Sequence, residues 1–228
     1  VENIARAKGE IFNGLPDAGI AVYNADDPHA GLWREANAQR RIVDFGLRRP
    51  AAVHAHCQPR GFGSVLALAL PDTILDIPLQ VPGEHNAMNA LAAAAAAFAL
   101  NVSHSSMVAG LSGFNGVKSR LQRKPALHGS TFIDDTYNAN PDSVKAALAV
   151  LAQQAGTKIL VLGDMGELGS DAARLHAQIG QAARAAGVNR LLALGDLTKE
   201  AVSAFGVGAM HFERIQELLA ELENALAP

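Results

Sequence analysis

From Thr131 to Leu226 the chain alternates short, β-prone apolar runs with longer amphipathic ones, and this alternation restricts the fold more than any other feature. Strands are expected at residues 131–135, 158–162 and 190–194 and near Met210. Each is followed by a helical pattern, at 141–154, 171–186, 197–205 and 214–226. Four such units in a row predict a parallel, Rossmann-like sheet, because a crossover through a helix returns the chain in the same direction. Every polar loop that follows a strand then lies on one edge, where α/β domains bind ligands.

The first of these loops carries the most chemistry. Thr131 to Ser143 reads TFIDDTYNANPDS, with carboxylates at Asp134 and Asp135 and then Tyr137, Asn138 and Asn140. Asn140 suits a helix N-cap, Pro141 the first helical position and Asp142 the positive helix end. The same residues also make an ordinary strand-to-helix turn, so both readings stand at this point. The second loop, GDMGELG at 163–169, spaces its glycines three apart, which is not the G-x-G-x-x-G pattern of a nicotinamide-cofactor site. Asp164 and Glu167 are either ligands for a substrate amine or plain loop carboxylates. His176 lies one turn from both Ala172 and Ile179, which favours a buried packing role.

The first half of the chain reads differently. Ile4, Ile11, Phe12 and Leu15 form an apolar stripe that Gly14 and Pro16 close. Lys8 is four residues from Ile4 and from Phe12, so it is expected on the inward face, either snorkelling or as a desolvated, reactive amine. A strand at 19–23 ends in Asn24, Ala25, Asp26 and Asp27, and a helix around 31–39 leads to a strand at 41–45. Strands at 51–55, 64–70 and 73–81 follow without helices between them, which predicts antiparallel pairing. Pro82 and Gly83 then precede an alanine-rich helix whose first turns gather His85, Asn86 and Asn89. Carboxamides there offer a donor and an acceptor side by side, as the edge of adenine requires, although capping alone also explains them. After a further helix at 105–111, the stretch GFNGVKSRLQRKP is the best domain boundary. Arg120 at its centre is a surface charge or a contact for phosphate or ribose.

Hydrophobic residues at 49% and charged residues at 18% describe a globular protein long enough for two cores. A net charge of -3 gives no electrostatic case for nucleic acid. The longest apolar run, Ala90 to Leu100, is about half of a membrane span. Cys57 is the lone cysteine, which fits a reducing, cytoplasmic setting. Val1 is not a start methionine, and the chain stops at Pro228 where another strand would be expected, so a fragment of a longer protein is expected.

Taken together, AKGEIF (7–12), NADD (24–27), GEHNAMNALAAA (83–94), DDTYNANPDS (134–143) and GDMGELG with His176 resemble the Mur ligase family over nearly the whole chain. The nearest type adds D-alanyl-D-alanine to UDP-N-acetylmuramoyl-tripeptide. The resemblance implies an α/β fold: part of the central ATPase domain (1–118), then a truncated Rossmann-like ligase domain (119–228). It implies an ATP- and Mg2+-dependent enzyme that forms an acyl phosphate and then an amide. The expected partners are the UDP-tripeptide and the dipeptide, and a cytoplasmic monomer is expected. On the same footing, Lys8 matches a lysine that becomes a carbamate and binds magnesium, and His85, Asn86 and Asn89 match the adenine-side motif. Arg120, Asp135 and Tyr137 match positions that meet the nucleotide, with Asp135 and Lys8 as the catalytic pair. Asn138, Asn140, Asp164, Glu167 and His176 are assigned to the peptide substrates. Two departures stand out: the chain contains no G-x-x-x-x-G-K-[ST] loop, so this chain alone is expected to be inactive, and Ser119 replaces the glycine usual before the junction arginine. A related amino-acid ligase, a folylpolyglutamate synthase-like ligase and a non-catalytic nucleotide- or protein-binding module remain the alternatives.

Overall fold

The computed structural model describes residues 2–226. They form two compact units, Val1–Asn115 and Gly116–Pro228.

In the first unit α1 (Glu2–Gly9) runs into a 3-10 turn (Glu10–Gly14). It is followed by β1 (Ile20–Asn24), α2 (Ala30–Ala36), β2 (Arg41–Gly46), β3 (Val53–Arg60), β4 (Gly63–Leu70) and β5 (Thr73–Leu79), then α3 (Glu84–Ala99) and α4 (His104–Gly113). The strands form one sheet in the order β1-β2-β3-β4-β5. β1, β2 and β3 are parallel, and β3, β4 and β5 are antiparallel, as the absence of intervening helices predicts. Along β4 the side chains alternate, and Leu66 and Leu68 face inward with no exposure. They meet Val53, Ile77 and the Leu91, Ala94 and Ala95 face of α3, whose small side chains let the helix lie close to the sheet.

The stripe expected at the N-terminus is inward only at Phe12 and Leu15. Ile4 is 59% and Ile11 75% exposed, and Lys8 is exposed, while Ala5 and Phe12 are the buried residues. Two causes act. The α-helix gives way to a 3-10 turn after Gly9, so the 100° step does not continue from Lys8 to Phe12. The face turned to α2 is that of Ala5, whose carbonyl accepts the Trp33 indole N–H at 3.0 Å. Lys8 is therefore neither snorkelling nor desolvated.

The second unit contains β6 (Gln122–Pro125), β7 (Thr131–Asp134), α5 (Pro141–Ala152), β8 (Ile159–Gly163), α6 (Ala172–Ala185), β9 (Arg190–Leu194), α7 (Thr198–Phe205), β10 (Ala209–Phe212) and α8 (Ile215–Leu226). β8, β9 and β10 form the expected parallel sheet, in the order β10-β9-β8. The strand at 131–134 is not its fourth member. It pairs antiparallel with β6, from Gln122 opposite Asp134 to Pro125 opposite Thr131. The reversal between them, with His128 at φ 55° and Gly129 at φ 74°, is too short for a crossover and folds the supposed linker back as a partner strand. Val144, Leu148, Leu162, Ile179, Leu191 and Phe205 fill one side of the sheet, and Leu192, Phe212 and Leu218 the other. Gly180 lets α6 approach α7 directly, since any Cβ there would collide with the Ala201 carbonyl.

Candidate functional site

The residues that open the second unit are organised around a bent backbone. Ser119 and Leu121 both adopt left-handed conformations, at φ 60° and 47°, and Arg120 stands between them. Its guanidinium carbon lies 4.1 Å from the centre of the Tyr137 ring, over its face. Two bonds to the following loop hold this geometry: Tyr137 N–H donates to the Ser119 carbonyl at 3.0 Å, and Leu121 N–H donates to Asp135 Oδ1 at 3.1 Å. Tyr137 is 64% exposed, so the stacked pair is a solvent-facing cationic platform. Arg120, singled out in a different stretch of the sequence from Asp135 and Tyr137, is thus brought beside them.

The adjacent carboxylates have separate tasks. Asp134 is 6% exposed and accepts from Lys124 Nζ at 2.6 Å and from the Thr136 amide and hydroxyl at 3.2 and 2.7 Å. The Lys124 ammonium above all, then Thr136, lowers its pKa to about 2. It is a structural group that is charged at neutral pH, whereas Asp135 is half-buried at the mouth of the loop. Further on, Asn138 Oδ1 accepts from Ala139 N–H at 2.9 Å. Asn140 caps α5 in a capping box: its Oδ1 accepts from the amides of Asp142 and Ser143, and Ser143 Oγ accepts from Asn140 N–H.

The loop after β8 is held from outside. Asp164 Oδ1 accepts the Thr198 amide at the start of α7, at 2.9 Å, and a Cβ on Gly195 would lie 2.5 Å from that carboxylate. Met165 buries its side chain to 1% exposure. Glu167 is exposed and left-handed, at φ 59°. His176 has no exposure, so its assignment to a substrate is corrected: both ring nitrogens bind backbone, Nε2 accepting from Met165 N–H at 2.9 Å and Nδ1 facing the Ala172 carbonyl at 2.7 Å. One helical turn from Ala172 and Ile179, it points into the core, as its spacing indicated.

In the first unit, His85 and Asn89 are exposed on the opening turns of α3, which begins after Gly83 at φ 91°. Asn86 is half-buried and its Nδ2 donates to the Pro82 carbonyl at 2.7 Å, so part of this motif does cap the helix entry. Lys8 is exposed in the last turn of α1.

Several residues have supporting roles that the sequence alone did not show. Asp26 accepts from the amides of Leu47, Arg48 and Arg49 at 2.7, 3.1 and 2.7 Å, and though burial opposes its ionisation, those amides lower its pKa. NADD at a strand end was legible in the sequence, but the partners of Asp26, which begin 21 residues further on at Leu47, were not. Asp196 and Gly195 were also passed over, although LVLGD (160–164) and LALGD (192–196) repeat one strand-and-turn pattern. Asp196 pairs with Lys199 at 2.9 Å. Lys124, the partner of Asp134, carried no signal beyond lying among several basic residues.

These features define a class. Residues 1–97 match the Mur ligase middle domain, and residues 119–228 match the Mur ligase glutamate ligase domain, so the chain belongs to the Mur ligase family. The more particular likeness is to one branch. The UDP-N-acetylmuramoyl-tripeptide--D-alanyl-D-alanine ligase of Escherichia coli (strain K12) is 37% identical over 98% of this chain and 50% of its own length. The corresponding ligase of Haemophilus influenzae is 34% identical over 98% of this chain and 49% of its own. The crystal structure of MurF from Acinetobacter baumannii superposes with a TM-score of 0.90 at 34% identity, over 99% of this chain and 49% of that one. MurF ligase from Thermotoga maritima in complex with ADP shares the fold, with a TM-score of 0.82 at 19% identity over 98% of this chain and 51% of that one. The chain spans about half the length of the curated relatives it matches.

Proposed function

We propose that the protein carrying this chain is an ATP-dependent ligase that adds D-alanyl-D-alanine to UDP-N-acetylmuramoyl-tripeptide through an acyl phosphate, in peptidoglycan precursor synthesis. The observation that carries this reading is 37% identity with the E. coli ligase over 98% of the chain. In this reading residues 1–118 serve the nucleotide from the ATPase side, and 119–228 are the ligase domain. His85, Asn86 and Asn89 meet the adenine. Arg120, stacked on Tyr137, meets the ribose and phosphates, where a fixed guanidinium offers directed donors to an anion. Asp135 sits beside that platform. Asn138 and Asn140 face the peptide through the parts of their carboxamides not used by the loop, and Glu167 and Asp164 offer charge to the incoming ammonium.

Magnesium fits the described residues poorly. No three His, Cys, Asp or Glu side chains among them come together to hold a metal ion, and Lys8 as a carbamate would supply a single carboxylate. No helix among the described residues is long and apolar enough to cross a membrane, and the protein is proposed to act in the cytoplasm as a monomer.

The test is phosphate release by the intact protein, expected to require ATP, the UDP-tripeptide and D-alanyl-D-alanine together. Release that ignores the dipeptide overturns the reading. Arg120→Ala is expected to raise KM for ATP about tenfold or more, the loss of one charged, oriented contact. The 228-residue chain by itself is expected to be silent, since it contains no phosphate-cradling G-x-x-x-x-G-K-[ST] loop.

A further inference from the structure

We propose that His176 is the positioning residue of the 163–171 loop, fixing through the Met165 amide the orientation in which Glu167 meets the incoming amine. The identity of that amine rests on the ligase reading above. The ring has no exposed surface, and its two nitrogens meet backbone groups of opposite polarity, a donor at Met165 and an acceptor at Ala172. Only the neutral tautomer with the proton on Nδ1 satisfies both. Filling space between helices would require neither bond. Ala172 lies on the same helix as His176, so that bond holds the ring against α6, and the Met165 bond carries the constraint across to the loop.

The loop contains three glycines, Gly163, Gly166 and Gly169, and would be loose without anchors. Asp164 is tied to the Thr198 amide, Met165 is buried, and Leu168 packs half-buried against the core. What remains projecting is Gly166 and Glu167, the latter in a left-handed conformation that persists only when its surroundings over-determine it. The Met165–His176 bond is the nearest polar constraint on that pair, next to Gly166 and two residues from Glu167. A misplacement of about 1 Å in a positioning element costs on the order of 100-fold in rate.

Two variants of the intact protein separate positioning from packing. Glutamine carries an oxygen far enough out to replace Nε2 as acceptor for Met165, and asparagine reaches only to the Nδ1 side. His176→Asn is expected to raise KM for D-alanyl-D-alanine by about tenfold or more while KM for ATP stays within about twofold, and His176→Gln to restore most of the loss. Hydrogen exchange at the Met165 amide is expected to quicken in His176→Asn and not in His176→Gln. An unchanged dipeptide KM alongside a loosened Met165 amide overturns the proposal, as does an equal loss of every kinetic parameter and of Tm in both variants. Should neither variant fold, nitrogen NMR of the unaltered protein decides: a proton on Nδ1 at neutral pH supports the strut, and one on Nε2 overturns it. If the unaltered protein ligates some other amine, the ligase reading fails separately, and the Met165 exchange contrast still supports or overturns the role of His176.

Discussion

The two polar loops of the second unit solve one problem in opposite ways. From Thr136 to Ser143 the loop mostly satisfies itself. Thr136 binds Asp134, Ala139 binds Asn138, and Asn140 and Ser143 bind each other, all within three residues. The loop from Gly163 to Gly169 makes few internal bonds and is fixed by groups from α6 and α7, His176 and Thr198. A self-satisfied loop depends on its own polar side chains and on charge. An externally braced loop depends on what is buried beneath it. Substitutions should therefore hurt the first loop through its own hydrogen bonds and pH, and the second through the buried side chains and the two hydrogen bonds that α6 and α7 supply from beneath it.

The largest effect is expected beneath the second loop. Met165→Ala removes a side chain that is 1% exposed and leaves a cavity under Gly166 and Glu167, at a cost of about 2–5 kcal/mol. Denaturant unfolding would measure it, and the loss should be the same from pH 5 to 8. A cost below about 1 kcal/mol would show that the hydrogen bonds accepted by His176 and Asp164, rather than the buried Met165 side chain, hold the loop.

Asp134 comes next and has the opposite signature. Asp134→Asn weakens the bonds to Lys124 and Thr136, and about 2–3 kcal/mol is expected at neutral pH. The folded pKa of about 2 lies below the ordinary 3.8, so the stabilisation is complete above the ordinary value and is lost as pH falls through about 2. The unaltered protein should lose this contribution between about pH 4 and pH 2, and the variant should show no such component there. Acid titration of stability in both proteins checks the sign.

The same contrast explains what the sequence made legible. Asn140 was readable as a cap because its partners are two and three residues away, and chain order alone places them there. The parallel pairing of β8, β9 and β10 followed from the strand and helix alternation. β7 was misplaced because the pattern of Thr131 to Asp134 is the same whether its partner lies across a helix or across a hairpin turn. Lys8 was misplaced because a 3.6-residue period was carried past Gly9, where the helix tightens. His176 offered a helical spacing that put it inside, but its bond to Met165 joins a helix to a loop whose path no periodicity describes.

A smaller effect is expected at the cap. Asn140→Ala should cost about 1 kcal/mol, since the amides of Asp142 and Ser143 lose their acceptor at an exposed helix end where water replaces it in part. Asn140→Asp should cost almost nothing, because the isosteric carboxylate caps as well and favours the helix dipole. If alanine is tolerated without loss, the self-satisfaction of this loop is only geometric.

The smallest effect is a gain. Ser119 holds φ at 60°, a conformation that suits glycine, and its hydroxyl is 3.5 Å from Asp134 Oδ2, too long to offset much. Its amide donates to Gln122 Oε1 at 3.2 Å, and a glycine would keep that bond. Removing the Cβ should relieve about 1 kcal/mol of backbone strain, while the freer unfolded chain takes back roughly half of it. Ser119→Gly is thus expected to stabilise the protein by about 0.5 kcal/mol, read as a small rise in Tm with Arg120 still over Tyr137. A fall in Tm would mean that the long Ser119–Asp134 contact stabilises the entrance to the first loop, extending its side-chain network one residue before the bend.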